Sequence, residues 1–245
     1  MSSANTLIII PAYNEEKSIA KVIEGLLQLG LDSDILVVND GSADRTKDIV
    51  ARYPVFSVSH PSNLGYGASL QTGYMFAVKR GYEYVVQYDA DGQHDTKDLI
   101  SVIEYLRKET SDVVIGSRFL GDPGFNPGIL KKIAITFFRS VIYSITRKNV
   151  LDPTSGLRGL RRRAFSYYAG RKKFPSDFPD ADIIIHMLLS RFIVKEIPIG
   201  SRERVAGVSM HSGLKPMIYF LKVFVSILAI LLHYSIIERR GTTHE

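Results

Sequence analysis

Residues Val85–His94 read VVQYDADGQH, an apolar run followed at once by two aspartates, Asp89 and Asp91. The apolar run is typical of a strand buried in a sheet. A carboxylate left in a core is very costly without a charged partner, so these aspartates face either water or a cation. The stretch therefore predicts a buried strand that ends in a polar cluster.

The same arrangement recurs along the first half of the chain. Buried strands are predicted at TLIIIP, DILVVND, VFSVS, YEYVVQYD and DVVIGSR, with segments of helical spacing between them. This alternation is typical of βαβ units, so we predict an α/β fold with a mainly parallel sheet and helices on both faces. The polar clusters PAYNEE, NDGSADRT, DADGQH and GSRF follow four of these strands. Because ligands bind beyond the carboxyl ends of the strands in such sheets, the sequence predicts a site there.

After about residue 120 the pattern changes. Residues Ile129 to Lys148 are predicted as a helix rich in aromatic and basic side chains, and DADIIIHMLLSR as another helix. FIVKEIPIGSRER predicts a strand, and LDPTSGLRGLRRRAF a turn-rich segment that leads into a helix.

The composition limits the class of protein. The chain has 245 residues, of which 45% are hydrophobic, so it can bury a core and is not disordered. It has no cysteine, which excludes disulfides and thiolate metal sites. The first residues lack a basic region, so we expect no signal peptide. The net charge of +6, with its excess mainly in the second half, indicates either an anionic partner or an ordinary basic surface.

Asp89 and Asp91 are the candidate metal ligands. Side chains two residues apart on an extended chain point the same way, so both carboxylates can meet one ion. Mg²⁺ and Mn²⁺ take carboxylate oxygens, usually with water and substrate phosphates completing the shell. Gln93 and His94 are near enough in sequence to add or orient ligands. The alternative is that Asp91 or Asp95 caps the helix that follows.

Three acidic or aromatic side chains after the first two strands are candidates for nucleotide contacts. Asp40 can accept hydrogen bonds from a base or ribose, Tyr13 can stack on a base, and Glu15 can accept from a ribose hydroxyl. Their structural alternatives are a helix cap, aromatic packing and a favourable acid in the first helical turn, respectively. Gly65 and Gly67 predict a tight turn that lets a ligand approach closely, without the spacing of a phosphate-binding loop.

Six motifs, in this order, carry a resemblance to a known family: IIIPAYNEE, VVNDGSADRT, NLGYGASLQTG, YDADGQH, IGSRF and DPTSGLRGLRRRAF. Over roughly residues 6 to 205 the chain resembles family 2 glycosyltransferases of the GT-A type. Within that family it resembles the branch of dolichol-phosphate mannosyltransferases and polyprenyl-phosphate sugar transferases. The resemblance implies a GT-A Rossmann-like fold, a nucleotide-sugar donor, Mg²⁺ or Mn²⁺, and inversion at the anomeric carbon.

The resemblance also implies roles for individual residues. Contacts with the nucleotide sugar are expected at Pro11, Ala12, Tyr13, Glu15, Asn39, Asp40, Gly65, Gly67, Asp89 and Ala90. Metal contacts are expected at Asp89, Asp91 and Gln93. Asn39 departs from the Asp-Asp pair that is usual in the family, which leaves its own contact open. The acceptor-side loop is expected from Asp152 to Arg158, and phosphate contacts at Arg118, Arg202 and Arg204.

The acceptor decides which further catalytic groups are needed. A sugar hydroxyl needs a carboxylate base, for which Asp152 is the candidate, with a turn before Pro153 as its structural alternative. A lipid phosphate has a second pKa of roughly 6, so it is already largely anionic and needs cations instead. The predicted cations are Arg118, Arg139, Arg158, Arg202 and Arg204, with the run Arg161, Arg162 and Arg163. The predicted catalytic set is Asp89, Asp91, Arg118 and Asp152.

The C-terminal segment is strongly apolar with basic ends. Residues Pro216 to Ile237 would extend about 33 Å as a helix, against ~30 Å for the hydrocarbon core of a bilayer. At ~100° per residue, one narrow stripe holds the polar side chains. It consists of Lys215, Tyr219, Lys222, Ser226, Ala229 and His233. The pattern predicts an amphipathic helix at the membrane surface, with packing on the protein's own core or a second copy, or a membrane span, as alternatives. The helix from Ile129 is a second candidate for membrane contact.

The sequence thus predicts three parts. Residues 1–120 form the nucleotide-sugar-binding half of a GT-A domain, 121–212 its acceptor-binding half, and 213–245 a membrane-associated helical segment. We predict an inverting glycosyltransferase that moves a hexose from a UDP- or GDP-linked donor to a polyprenyl phosphate, peripherally bound at the cytoplasmic face of a membrane. A homo-oligomer is left open, and no nucleic-acid partner is expected. The alternatives are a saccharide acceptor, or a non-catalytic nucleotide-sugar-binding or scaffold protein.

Overall fold

The computed structural model describes residues 4–92, 96–121, 125–170, 180–200 and 225–228. The strands are β1 (Thr6–Ala12), β2 (Asp34–Asn39), β3 (Phe56–Ser59), β4 (Tyr84–Gln87), β5 (Val113–Ser117), β6 (Arg158–Arg161) and β7 (Val194–Pro198). The helices are α1 (Ile19–Gln28), α2 (Thr46–Val50), α3 (Tyr66–Arg80), α4 (Thr96–Lys108), α5 (Arg118–Gly121), α6 (Ile129–Thr146), α7 (Arg162–Ala169) and α8 (Ala181–Leu189).

The strands form one sheet in the order β3-β2-β1-β4-β6-β5-β7. β1 pairs in parallel with β2 and β4, β2 with β3, and β5 with β7, which confirms the prediction of a mainly parallel sheet. β6 lies between β4 and β5 and is antiparallel to both. The amino end of β6 therefore lies beside the carboxyl ends of its two neighbours.

β6 corrects the prediction of a turn-rich segment at this point of the chain. Its sequence, RGLR, has an arginine at each end and a glycine, which do not favour a strand. Arg158 is nevertheless buried, because its guanidinium donates to the carbonyl oxygens of Pro153 and Ser155 at 3.0 and 2.9 Å. Pairing with two neighbouring strands thus forms β6 although its own sequence has little preference for a strand.

Helices cover both faces of the sheet, as predicted. Successive side chains of β1 point to opposite faces, so Leu7 and Ile9 belong to one core cluster and Ile8 and Ile10 to the other. Side chains from α3, α6, α7 and α8 complete the first cluster, and side chains from α1, α2 and α4 complete the second. β1, which ends within the PAYNEE motif, is therefore held from both sides.

β5 ends at Ser117, one residue earlier than the predicted strand, and Arg118 opens α5. The backbone N–H of Arg118 donates to Asp152 Oδ2 at 3.1 Å instead of continuing the sheet ladder. The strand thus ends where it meets the segment that leads into β6.

Four residues of the C-terminal segment, 225–228, are described, and they form a helical turn that packs on the rest of the chain. Ile227 is buried in the first core cluster, and Ser226 Oγ donates to Asp182 Oδ2 on α8 at 2.5 Å. Ser226, a member of the predicted polar stripe, therefore faces the protein. The remainder of residues 213–245 lies outside the described residues. Within the described part of the chain, no helix is both long enough and apolar enough to cross a bilayer.

Candidate active site

The predicted polar clusters meet at one edge of the sheet. β1, β2 and β4 are parallel neighbours, so Tyr13, Asp40 and Asp89 follow strand ends that lie side by side. β6 runs in the opposite direction, so the loop before Arg158 reaches the same edge beside the end of β4. The sheet topology therefore joins the predicted donor-side residues to the predicted acceptor-side loop.

Asp89 and Asp91 follow β4 at this edge. Asp89 is half-buried and Asp91 is 6% exposed. Tyr66 Oη donates to Asp89 Oδ1 at 2.9 Å. A Cβ added at Gly156 would overlap Asp89 Oδ2, so the backbone of the acceptor-side loop packs directly on this carboxylate. A side chain of α3 and the loop before β6 thus fix Asp89 from two sides.

Asp89 and Asp91 supply two carboxylates, the kind of oxygen ligand that Mg²⁺ and Mn²⁺ take. Among the described residues there is no group of three or more His, Asp or Glu side chains that could hold a metal. Mg²⁺, however, is usually bound through one or two carboxylates, with water and substrate phosphates as the other ligands. Gln93, the third predicted ligand, and its neighbours His94 and Asp95 lie outside the described residues.

Tyr66 is a site residue that the sequence analysis did not single out. Burial raises the pKa of its hydroxyl well above the usual range, and the negative charge of Asp89 raises it further. The hydroxyl therefore stays a neutral donor at physiological pH. One feature of the sequence could have identified Tyr66: it is a bulky aromatic residue between Gly65 and Gly67, at the start of a helix beside a predicted site.

Asp40 anchors the loop that precedes α3. It is 3% exposed, and its two oxygens accept from the N–H groups of Leu64 and Gly65, each at 2.9 Å. His60 Nδ1 lies 2.7 Å from Asp40 Oδ1. Gly65 has a φ of 104°, which glycine tolerates best, so the predicted tight turn is observed. The carboxylate holds this turn rather than capping a helix, and its contact with a base stays a prediction.

Tyr13 and Glu15 follow β1. Tyr13 is 48% exposed, so its ring is accessible and is not packed in the core. α1 begins at Ile19, so Glu15 precedes the helix and is not an acid of its first turn. The Glu15 carboxylate accepts from Ser18 Oγ at 2.5 Å. Both side chains thus lie at the sheet edge where the nucleotide contacts are predicted.

The other predicted donor-side residues are small or buried. Those that are buried are Pro11, Ala12, Asn39, Gly67 and Ala90. Asn39 Nδ2 donates to Ser59 Oγ at 3.2 Å, and Asn39 Oδ1 accepts from the N–H of Ser42 at 3.2 Å. Asn39 therefore ties the end of β3 to the loop after β2.

Arg118 and Asp152 form a buried ion pair. Arg118 Nε and Nη2 each donate to one oxygen of Asp152 at 2.7 Å, in bidentate geometry. Asp152 is 0% exposed and Arg118 is 8% exposed. Arg118 Nη2 also donates to Thr154 Oγ1 at 3.1 Å, and the guanidinium carbon lies 4.8 Å from the centroid of the Phe125 ring. Both oxygens of Asp152 are thus engaged in orienting Arg118, which favours a positioning role for Asp152 over proton abstraction.

Arg139 and Arg158 support the same loop. Arg139 Nε donates to the carbonyl oxygen of Leu151 at 2.6 Å, and its guanidinium carbon lies 4.1 Å from the centroid of the Phe119 ring. Burial lowers the pKa of Arg139, and one buried Nη atom has no hydrogen-bond partner among the described residues. Arg158 is 3% exposed and holds the turn at residues 153–155. Arg158 thus donates within its own loop, whereas Arg139 Nη2 has no acceptor among the described residues.

The run Arg161, Arg162 and Arg163 does not belong to the site, which corrects the sequence prediction. Arg162 pairs with Glu83 at 3.0 Å and Arg163 with Asp112 at 2.9 Å. Glu83 and Asp112 precede β4 and β5, so they mark the amino ends of those strands. Because β6 is antiparallel, only its first arginine lies at the site edge. Arg202 and Arg204 lie outside the described residues.

Asp180 is a further residue that the sequence analysis missed. It precedes α8, and its Oδ1 lies 3.6 Å from Arg158 Nη2. Its charge also acts on the Tyr66 hydroxyl, so it lies within electrostatic reach of the Asp89 side of the site. The signal in the sequence is an acid just before the apolar helix in PDADIIIH.

Comparison with known proteins identifies the family of the chain. The model of Glycosyl transferase family 2 matches residues 7–168. The chain is similar to a UDP-N-acetylglucosamine–dolichyl-phosphate N-acetylglucosaminyltransferase of Methanococcus voltae, with 28% identity over 239 residues that cover 90% of this chain and 94% of that protein. It is also similar to an undecaprenyl-phosphate mannosyltransferase of Micrococcus luteus, with 32% identity over 219 residues, or 84% and 87% of the two chains.

Solved structures show the same fold. Glucosyl-3-phosphoglycerate synthase from Mycobacterium tuberculosis, in complex with Mn²⁺, UDP-glucose and phosphoglyceric acid, matches with a TM-score of 0.71. The two chains are 18% identical over 93% of this chain and 80% of that one, so the likeness shows the fold alone. It confirms the predicted GT-A-like α/β architecture. The family model spans well over half of the chain. The chain therefore belongs to glycosyl transferase family 2 and is a glycosyltransferase.

Proposed function

We propose that the protein transfers a hexose from a nucleotide sugar to a polyprenyl phosphate, with inversion at the anomeric carbon and with a divalent metal ion. The observation that carries the proposal is the engagement of Asp152 by Arg118 through both carboxylate oxygens. A hydroxyl acceptor needs a free carboxylate base, whereas a phosphate acceptor is already ionised and needs an oriented cation. The pairing of Asp152 with Arg118 favours the second arrangement. Similarity to polyprenyl-phosphate sugar transferases supports the same acceptor.

The donor half of the proposed reaction uses the residues after β1, β2 and β4. Asp89 and Asp91 would hold Mg²⁺ or Mn²⁺, and the complexes of one protein of the same fold with Mn²⁺ and UDP-glucose support this assignment. When bound, the ion neutralises charge on the leaving diphosphate. Tyr66 keeps the Asp89 carboxylate oriented. The exposed ring of Tyr13 would stack on the base, and Glu15 would accept from the ribose.

The acceptor half uses the loop before β6. Arg118 would bind the acceptor phosphate. Asp152 and Thr154 fix the orientation of its guanidinium, and Arg118 directly follows the carboxyl end of β5, at the edge of the sheet where the site lies. The donor of Arg139 that has no partner in the described residues would bind a second phosphate oxygen. A phosphate oxygen then attacks the anomeric carbon from the face opposite the diphosphate, which inverts its configuration. We place this reaction at the cytoplasmic face of a membrane, with the protein bound peripherally.

A radiolabelled transfer screen tests the proposal. The purified protein is incubated with labelled UDP- or GDP-sugars and Mn²⁺, with and without a polyprenyl phosphate, and with a chelator as control. The proposal expects chelator-sensitive label in the organic phase only when the lipid phosphate is present. Label that enters a water-soluble saccharide instead would support the alternative acceptor and contradict the proposal.

A further inference from the structure

Glu196 on β7 occupies a position where the sheet would normally carry an apolar side chain. It pairs with Ile115 of β5, so the two side chains lie on the same face of the sheet. Ile115 is fully buried in the first core cluster, and Val194, two residues before Glu196, packs against the same cluster. A carboxylate that faces a core is costly unless hydrogen bonds satisfy its oxygens. The partners of Glu196 therefore indicate its role.

Both carboxylate oxygens of Glu196 are occupied by one short stretch of chain. Oε2 accepts from the N–H of Leu151 at 2.7 Å, and Oε1 accepts from the N–H of Asp152 at 2.8 Å. Leu151 and Asp152 belong to no helix or strand, so the carboxylate gives their N–H groups the acceptors that a regular element would supply. Bonds to a charged acceptor are also stronger than bonds to a neutral one. Glu196 thus holds the start of the predicted acceptor-side loop.

The peptide group that joins Leu151 to Asp152 is held at both of its polar atoms. Its N–H donates to Glu196, and its carbonyl oxygen accepts from Arg139 Nε at 2.6 Å. A peptide group is planar, so a bond at each end fixes its orientation. The Asp152 side chain leaves the backbone next to this group and binds Arg118 through both carboxylate oxygens. Glu196 and Arg139 therefore determine where the Asp152 carboxylate lies, and with it the Arg118 guanidinium.

The charge of Glu196 and its hydrogen bonds have opposite effects on an anion at Arg118. Burial raises the pKa of the Glu196 carboxyl, although the N–H groups of Leu151 and Asp152 oppose the rise. The negative charge of Glu196 also acts on Arg139. A carboxylate near these arginines repels a phosphate, so loss of its charge alone would strengthen phosphate binding. Loss of its hydrogen bonds would weaken that binding, because Arg118 would no longer be held in one orientation.

We propose that Glu196 is a positioning residue for acceptor binding, which acts through the backbone of Leu151 and Asp152 on the orientation of Arg118. The phosphate nature of the acceptor rests on the proposed function, whereas the path from Glu196 to Arg118 is argued from hydrogen bonds. Because both oxygens of Glu196 accept N–H groups of the loop, the role is to hold the loop and not to take a proton from the acceptor.

Steady-state kinetics of the full-length chain test this role. The test variant is Glu196→Gln, which keeps the size of the side chain but replaces one acceptor oxygen by an amide nitrogen. It should raise the KM for a polyprenyl phosphate about tenfold and leave the KM for the nucleotide sugar unchanged. A merely structural role would instead reduce the active fraction, and so kcat, with both KM values kept.

Asp112→Asn is the matched control for these kinetics. Asp112 also accepts a backbone N–H, that of Ile193 at 2.8 Å, just before β7 but at the opposite edge of the sheet. Its replacement should leave the KM for the polyprenyl phosphate unchanged. The comparison therefore separates a general weakening of β7 from an effect on the acceptor-side loop.

A second measurement needs no acceptor. The Nε–H signal of Arg118 in the nuclear magnetic resonance spectrum of the ¹⁵N-labelled chain, assigned by its loss in Arg118→Lys, reports the pair with Asp152. Glu196→Gln should shift this signal and speed its exchange with water about tenfold, because the pair opens more often. Asp112→Asn should leave the signal unchanged.

Either of two outcomes overturns the proposal. They are an unchanged or lowered acceptor KM in Glu196→Gln, and an Arg118 signal that behaves as in the control. If circular dichroism shows that Glu196→Gln does not fold, Glu196→Asp replaces it, since it keeps the charge but withdraws the oxygens by one carbon, and the same two changes are expected. If the Arg118 signal responds as expected while no sugar reaches any polyprenyl phosphate, the positioning role stands and the proposed acceptor falls.

Discussion

The hydroxyl of Tyr66 donates to Asp89 Oδ1 at 2.9 Å, which joins the first residue of α3 to the carboxylate that follows β4. Asp40 holds the turn before Tyr66 through the N–H groups of Leu64 and Gly65. A predicted base-contacting residue and a predicted metal ligand are therefore connected through one short segment. The orientation of Asp89 depends on this segment as well as on its own strand.

Tyr66→Phe should weaken Mn²⁺ binding and lower kcat/KM about tenfold, because one hydrogen bond to a charged group is lost, at a cost of about 1.5 kcal/mol. Manganese titration by calorimetry, with nucleotide present, measures the first effect. Tyr74→Phe is the matched control, since it removes a buried hydroxyl on the same helix that accepts a hydrogen bond from Gln87 Nε2. Equal losses of Mn²⁺ affinity in both variants would contradict a specific role for Tyr66.

Asp91→Ala should abolish sugar transfer and leave the fold intact, because it removes one of two proposed metal ligands. Asp48→Ala on the exposed surface of α2 is the control. Transfer is measured with saturating donor and Mn²⁺, and folding by thermal unfolding. Turnover of the Asp91 variant at the unmodified rate would exclude the metal assignment.

Asp152→Asn separates a positioning role from a base role. If Asp152 orients Arg118, the variant should lose about 3 kcal/mol or more of stability and raise the KM for the acceptor phosphate, with the shape of the pH–rate profile kept. A general base would instead lower kcat and remove the acidic limb of that profile. Asp112→Asn is the control, because Asp112 is 5% exposed and pairs with Arg163 at the opposite edge of the sheet. It should lower stability without changing the acceptor KM.

Asp182 makes the stability of the protein dependent on pH. Burial raises the pKa of Asp182 to about 6 from 3.8, although hydrogen bonds from Ser226 and the N–H of Ile183 oppose the rise, and Asp180 and Arg158 also act on it. The folded state therefore disfavours the charged carboxylate. The cost is absent below pH ~4, grows as pH rises, and approaches about 3 kcal/mol at neutral pH.

Asp182→Asn removes this titration, so its stability relative to the unmodified chain should rise between pH ~4.5 and pH ~7.5. Guanidinium unfolding of both proteins at the two pH values measures the difference. A difference that stays constant with pH would show that Asp182 does not titrate in this range.

Much of the fold and the position of the site follow from the sequence. Strands such as β1 and β2 are short apolar runs bounded by polar clusters, and parallel pairing places the ends of those runs together. β6 could not be predicted in this way, because it lies in RGLR and depends on its two neighbours and on the internal hydrogen bonds of Arg158. The antiparallel direction of β6 is also what removes Arg162 and Arg163 from the site.

The contacts within the site were harder to predict than its location. Arg118 and Asp152 were both identified from the sequence, but with separate roles. Arg118 was predicted to bind phosphate, and Asp152 to act as a general base. They are 34 residues apart, and only the meeting of β5 with the loop before β6 makes them one ion pair. Tyr66 and Gly156 contact Asp89 from two other segments, which no local pattern reveals. Membership of a glycosyltransferase family also excludes the alternative of a non-catalytic nucleotide-sugar-binding or scaffold protein.

Anomalous diffraction from crystals soaked with Mn²⁺ and a nucleoside diphosphate tests the central claim most directly, namely that Asp89 and Asp91 hold a divalent ion against the diphosphate. The account predicts a manganese peak within ~2.3 Å of an oxygen of one or both aspartates, with the diphosphate as a further ligand. A diphosphate bound with no manganese at these aspartates, or manganese held elsewhere while Asp91 caps α4, would contradict it.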